Sequence, residues 1–354
     1  DGNYWGHNAI IRTKAFADHC GLPDLKGRPP FGGHILSHDF VEAALILRAG
    51  WDVYMLPTLG GSYEESPPSL IDLAARDRRW CQGNLQHLRV LPTKRMRWAS
   101  RQHFATGIFS YLASPLWMTQ LIVGIVIVLQ SRYIRPEYFT DEFSLYPAWP
   151  RFDAERSLKL FAFTMAILLA PKLLGLLLGL IEERTRRRSG GALLLIASSL
   201  FEIVMSALLA PIMMLIQSGS VMEILFGRDT GWNPQRRDDG SVPLGYIVKR
   251  HRSHVLLGLV TLFAGLLIAP SLVAWMSPTI AGLILAIVLS WGTAQLGLGL
   301  ALKRVGLLRT PEEVAPPPIA VAANRLTADL AALDEDEIDG LAAIHADPQF
   351  RRAH

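Results

Sequence analysis

Long uncharged runs alternate with short basic ones through the middle of this chain, while its first hundred residues and last fifty are mixed. From Phe104 to Gln130 no residue is charged. At about 1.5 Å per helical residue, that run is long enough to cross a bilayer core of about 30 Å. Leu158 to Ile181 is a second apolar stretch and carries Lys172. Gly190 to Phe226 is a third, with Glu202 inside it and Pro211 near its middle, and it predicts a hairpin or a re-entrant segment. Val255 to Leu302 is uncharged and interrupted at Ser277-Pro278, which predicts two spans at about 255–276 and 279–302. The predicted layout is therefore a mixed domain with interfacial helices over 1–100, a membrane bundle over 101–302 and a tail over 303–354.

Two loops in the bundle are basic. One holds Arg184, Arg186, Arg187 and Arg188; the other, over 228–254, holds Arg236, Arg237, Lys249, Arg250 and Arg252. Loops rich in Lys and Arg stay in the cytosol. With the first domain cytosolic, both loops share its side only if 190–226 crosses twice or dips in and returns.

Within the first domain, Ala9-Ile10-Ile11 is a short apolar stretch, followed by a Gly- and Pro-rich loop from Gly21 to Gly33. His38 to Ala49 has helical spacing, with Phe40, Ala43, Ala44 and Leu47 on one face and Gly50 as its stop. Trp51 to Leu56 alternates as a strand does and ends at Pro57. Ser66-Pro67-Pro68-Ser69 opens a second helix with an apolar stripe of Leu70, Leu73, Ala74, Cys81, Leu85 and Leu88. Strand and helix together predict α/β or α+β material here. The Pro-rich stretch at 316–318 leads into an Ala- and Leu-rich acidic segment, predicted as a short helix with a flexible end.

Composition sharpens this picture. Half of the 354 residues are apolar and the mean hydropathy is +0.26, which a soluble domain with a polar surface seldom reaches. Thirty-five basic against 31 acidic residues leave a net charge of +4, too mild to point to nucleic acid. Cys20 and Cys81 predict small buried thiols and no disulfide framework. The opening Asp1-Gly2-Asn3, with no Met and no signal peptide, predicts a fragment cut inside a domain.

Three clusters carry candidate chemistry. Tyr4-Trp5-Gly6-His7-Asn8 sets aromatics beside Gly and Asn, as a sugar-binding loop or an ordinary turn does. Ser37-His38-Asp39 stands just before a helix, where an Asp also serves as a cap. Arg76-Asp77-Arg78-Arg79-Trp80 lies on an amphipathic helix; its bases suit a solvated or lipid-facing surface. An indole beside guanidinium groups also suits a sugar ring held flat next to a diphosphate, whose oxygens the Arg fork bonds two at a time. Lys172 and Glu202, ionisable groups in apolar segments, either pair structurally or snorkel, or else line a polar path through the bundle.

In this order ahead of membrane spans, the three clusters resemble the second half of the catalytic domain of processive family 2 glycosyltransferases, which include cellulose and hyaluronan synthases. The resemblance implies a GT-A-like α/β glycosyltransferase C-terminal half followed by an all-α transmembrane bundle. Asp39 matches the Asp of the family's T-E-D motif, with His38 at the Glu position. Arg79 and Trp80 match its Q-x-x-R-W motif, with Arg76 at the Gln position. Residues 4–12, 35–44, 61–65 and 76–85, and a likeness continuing from 234–239 to about Pro318, are similar to one branch, the glucans biosynthesis glucosyltransferase H family of Gram-negative bacteria.

That branch implies UDP-glucose as donor and a growing β-glucan, the backbone of osmoregulated periplasmic glucans, as acceptor. It implies a multi-pass protein in the lipids of the bacterial inner membrane with its catalytic part cytosolic, and a periplasmic glucan-processing partner. By resemblance Asp39 is the general base. Arg76, Arg79, Trp80, His38, Tyr4, Trp5, His7 and Asn8 are the expected substrate-binding residues; on the path reading of the ionisable groups in the apolar segments, one or both of Lys172 and Glu202 line the glucan's way through the bundle. A divalent Mg2+ or Mn2+ ion is implied as cofactor, on a D-x-D motif expected upstream of Asp1. Trp232, Gln235, Arg236 and Arg237, in the loop Gly231–Asp239, fall where a related synthase carries a gating loop; a basic loop held near anionic lipid is the other reading. Two competing readings of the whole chain are another polysaccharide synthase of the same family and a non-catalytic transporter or scaffold.

Overall fold

The computed structural model describes residues 2–4, 8–56, 59, 61, 63–64, 66–134, 154–228 and 242–334. Its elements in chain order are α1 (Thr13–His19), α2 (His38–Arg48), α3 (Leu70–Val90), α4 (Trp98–Tyr133), α5 (Ala154–Ile181), α6 (Glu183–Arg188) and α7 (Ala192–Leu225). After these come α8 (Leu244–Ile268), α9 (Pro270–Trp275), α10 (Ser277–Ile284), α11 (Ala286–Thr293), α12 (Leu296–Arg304), α13 (Pro311–Val314) and α14 (Pro318–Asp334). Among the described residues there is no strand. Leu25 and Gly33 form an isolated bridge, and the extended run 51–56 meets the N-terminal residues through the bond from Gly2 N–H to the Val53 carbonyl. The α/β character expected for the glycosyltransferase half is thus not seen among the described residues, whose regular elements there are helices joined by irregular chain. Alternation in a sequence marks a strand candidate, but a strand exists only when a neighbour completes its ladder.

Helix ends follow local chemistry. α2 stops as predicted: Gly50 takes φ +90°, its N–H bonds the Leu47 carbonyl and the Trp51 N–H bonds that of Ile46, a left-handed stop that suits glycine. α3 starts at Leu70, two residues past Pro68, so the prolines precede the helix, and its cap is Ser69, whose hydroxyl accepts from the Asp72 N–H at 3.1 Å.

The chain forms two compact units, 1–169 with 200–304 and 170–199 with 305–354. In the first, α3 is the spine, and each third of its length meets a different combination of neighbours. Leu70 packs with Ile212 of α7 and with Ala286 and Leu289 of α11. Cys81 and Leu85 pack with Ile108 and Tyr111 of α4 and Val221 and Ile224 of α7. Val90 packs with Val41, Ala44 and Leu45 of α2 and Phe104 of α4. In the second unit α6 packs against α13, and the Leu308 N–H donates to Ser198 Oγ at 2.9 Å.

Four helices, α4, α5, α7 and α8, are long and apolar enough to cross a membrane. Two details differ from the pattern read in the sequence. Residues 192–225 form one 34-residue helix with Pro211 inside it, not a hairpin. Proline removes a single N–H and crowds the preceding turn, which kinks a helix without ending it when packing supports the bend. Here Gly282 of α10 gives that support, since a Cβ at its position would lie 2.2 Å from the Leu208 carbonyl oxygen and 2.7 Å from the Pro211 ring. The stretch expected as spans 255–276 and 279–302 is instead the long α8 followed by short pieces, with α11 and α12 bent by 73°. Pro270 and Pro278 each sit in the first turn of a new helix, where their missing N–H is no loss.

Candidate functional site

On α3, Arg76, Trp80, Gly83 and His87 are spaced four, three and four apart and so share one stripe. The Arg76 guanidinium lies over the Trp80 ring, 4.6 Å from its centroid, while the indole stays half exposed. Stacking of this kind fixes the plane of the ring and keeps a positive charge beside it.

One turn further along, Gly83 is the point of closest approach to the start of α2. A Cβ there would stand 2.3 Å from Ser37 Oγ and 2.9 Å from Ser37 N. Next to it, the His87 Nε2–H donates to the Ser37 carbonyl at 3.3 Å. The Leu36 N–H donates to Gln86 Oε1, and Gln86 Nε2–H donates to the His34 carbonyl, both at 3.0 Å. Residues 34–37 are therefore strapped to α3, and α2 begins from that strap with His38 and Asp39. His87 is wholly buried between Phe40 and Phe104. Burial pushes its imidazole down to about 4, against the pull of the Ser37 carbonyl.

Asp39 is half-buried in the first turn of α2. Burial raises its carboxyl above the ordinary carboxylate value; the first-turn amides of Asp39 and Phe40 and the His38 ring pull the other way. Beside it, Glu42 is buried. Its Oε1 faces His38 Nδ1 at 3.1 Å, its Oε2 accepts a short hydrogen bond from the Tyr4 hydroxyl, and the Cys20 thiol reaches its carbonyl at 3.8 Å. Burial and Glu42 together raise the Tyr4 hydroxyl, and burial raises the Cys20 thiol.

The opposite side of α3 is bonded to the long helices. Asp77 accepts from the Tyr111 hydroxyl of α4 at 3.0 Å and from the Gln217 amide of α7 at 2.8 Å. Ser114 of α4 in turn donates to Gln217 Oε1 at 2.5 Å. The buried Arg78 donates to the Arg228 carbonyl, just past the end of α7, at 2.9 Å and lies 3.5 Å from Glu223. Cys81, a free thiol, is pushed up to about 12 by burial.

A family model described as Glycosyl transferase family group 2 matches residues 3–294. The chain belongs to this glycosyltransferase family. It is 54% identical over 354 residues to "Glucans biosynthesis glucosyltransferase H" of Shewanella sp. (strain ANA-3), covering 100% of this chain and 49% of that protein. It is 56% identical over 328 residues to the protein of the same name from Shewanella oneidensis, covering 93% and 45%. The one from Shewanella baltica (strain OS155) is 55% identical over 328 residues, again 93% and 45%. The chain spans about half the length of the curated relatives it matches. No solved structure matches it.

In this glycosyltransferase chain, the residues singled out from sequence fall into groups. Arg76 and Trp80 meet directly, with Arg79 half-buried beside them on α3. His38 and Tyr4 meet through Glu42. Asn8 is exposed, at φ 60°. Lys172 is exposed on α5; Glu202 is exposed on α7 and accepts from the Ser206 hydroxyl at 2.5 Å. Trp5, His7, Trp232, Gln235, Arg236 and Arg237 lie outside the described residues. Among the described residues, no three His, Cys, Asp or Glu side chains stand together as a metal-holding set. The residues present do not by themselves fit the divalent ion the resemblance implies, so every step below is one of the chain's own side chains.

Sequence reasoning passed over Tyr111 and Gln217, and gave no role of their own to Glu42 or to Asp77 and Arg78 within the basic cluster. For Glu42 the available signal was its spacing of four from His38, the distance at which helical side chains meet. For Asp77 it was a lone acid within a run of arginines.

Proposed function

We propose that this chain is the acceptor-side half and membrane part of a glucosyltransferase that polymerises glucose from UDP-glucose. Its product is the β-glucan backbone of osmoregulated periplasmic glucans. It works on the cytosolic face of the inner membrane, and the polymer is handed on across the bundle. The 54–56% identity to proteins named glucans biosynthesis glucosyltransferase H supports the substrate class. The observation that supports the reaction is the strap on α3: Ser37, two residues before Asp39, packs at Gly83 and accepts from His87, and Gly83 lies one helical turn from Trp80 of the Arg76–Trp80 pair.

The chemistry follows from that placement. The terminal sugar of the acceptor lies on the exposed Trp80 indole. Asp39 takes the proton from its hydroxyl as that oxygen attacks the anomeric carbon of the donor. The carbon–oxygen bond to the diphosphate breaks on the far side, so configuration inverts and the β linkage forms. The electron pair leaves on the diphosphate, whose charge is met by Arg76 and Arg79. The raised proton affinity of Asp39 suits a base, because a carboxylate at its ordinary value holds a proton too weakly to assist an alcohol.

Asp39→Asn in the full-length protein should lower glucan synthesis by about 100-fold or more with folding and membrane level intact. Radiolabelled glucose incorporation measures this, and undiminished synthesis by the variant would overturn the assignment.

A further inference from the structure

Glu42 sits one turn into α2, its side chain buried, with both carboxylate oxygens occupied. The Tyr4 hydroxyl donates to Oε2, and His38 Nδ1 stands 3.1 Å from Oε1. A carboxylate so engaged is not free to act as a base itself. What it does is fix its neighbour. A carboxylate only accepts, so His38 carries a proton on Nδ1, and in the neutral ring Nε2 is then the acceptor. The His38 ring is 53% exposed, in the same first turn as Asp39 and on the helix end that the strap presses against α3. Without Glu42 the ring would be free to flip or to change tautomer.

We propose that Glu42 is a positioning residue, holding His38 so that Nε2 accepts a hydrogen bond from a second hydroxyl of the acceptor sugar while Asp39 takes the proton from the first. Two contacts to one sugar fix its rotation as well as its distance, and orientation of the attacking oxygen is worth a large factor in rate. Tyr4 closes the arrangement from the opposite side, holding the carboxylate in place. The inference rests on the proposed glucosyl transfer and on Asp39 as its base.

A double-mutant cycle on the full-length enzyme in native membranes tests it. His38→Ala and Glu42→Gln are each expected to lower kcat by about tenfold while the KM for UDP-glucose changes less than twofold. A glutamine carries an oxygen at only one of the two positions and an NH2 at the other, so Tyr4 and His38 no longer both face an acceptor and the grip on the ring weakens while the volume is kept. The double variant is expected to be no slower than His38→Ala alone, because Glu42 acts only through that ring. Tyr4→Phe should give a smaller loss of the same kind. An unchanged kcat in His38→Ala overturns the proposal, as do single losses that multiply in the double variant. His38 is exposed, so its variant carries the test even if Glu42→Gln fails to fold. Asp39→Asn run alongside separates the two readings. A dead Asp39→Asn with a fully active His38→Ala sinks only the role of Glu42, whereas an active Asp39→Asn sinks the glucosyl transfer beneath it.

Discussion

Asp39 carries opposite consequences for stability and for activity. Its folded-state proton affinity is raised, chiefly by burial. Such a group contributes stability below the ordinary carboxylate range and loses it as pH rises through the raised value. At neutral pH the ionised Asp39 therefore destabilises the fold, and Asp39→Asn should melt no lower than the parent. Thermal unfolding across pH should show any excess shrinking as pH falls toward 4 and the parent carboxyl takes up its proton. Activity needs the ionised form, so synthesis should fall away on the acid side above the pH at which an ordinary Asp titrates. A parent protein more stable than Asp39→Asn at pH 7 would contradict the burial argument.

Element by element, α2 and α3 were readable because their signals are local. The Leu and Ala spacing, the Ser69 cap and the Gly50 stop each act within a turn or two. The bonds that hold α2 and α3 in place are not local. Tyr4 and Glu42 are 38 residues apart, Asp77 and Tyr111 are 34 apart, and Asp77 and Gln217 are 140 apart. Nothing in the pattern distinguishes an Asp destined for two buried donors from one on a solvated face. The strand read at 51–56 failed for the same reason, since pairing depends on residues elsewhere in the chain. Gly83 is where the two scales meet. Gly83→Ala should force Ser37 away from α3 and shift the start of α2, lowering kcat by about tenfold or more while the far half of α3 stays packed. Kinetics of the purified full-length variant would measure this, and parental kcat would show that the close approach is dispensable.

For the molecule as a whole, the apolar pattern foretold a membrane bundle, and α4, α5, α7 and α8 meet its length requirement. The pattern did not foretell how α7 would be used. Its buried residues, from Pro211 to Ile224, gather in its second half, where Ile212 packs with Leu70 and Val221 and Ile224 pack with Cys81 and Leu85 of α3. Arg228→Cys, an exposed position past that helix, should react with a membrane-impermeant thiol reagent in inside-out vesicles and resist it in intact spheroplasts. Labelling from the periplasmic side would refute a cytosolic end for α7.

The bond from Arg78 to the Arg228 carbonyl joins positions 150 residues apart and ties the far end of that stretch to the helix it set out from. Whatever route residues 79–227 take through lipid is thus a round trip, and round trips traverse a bilayer in pairs.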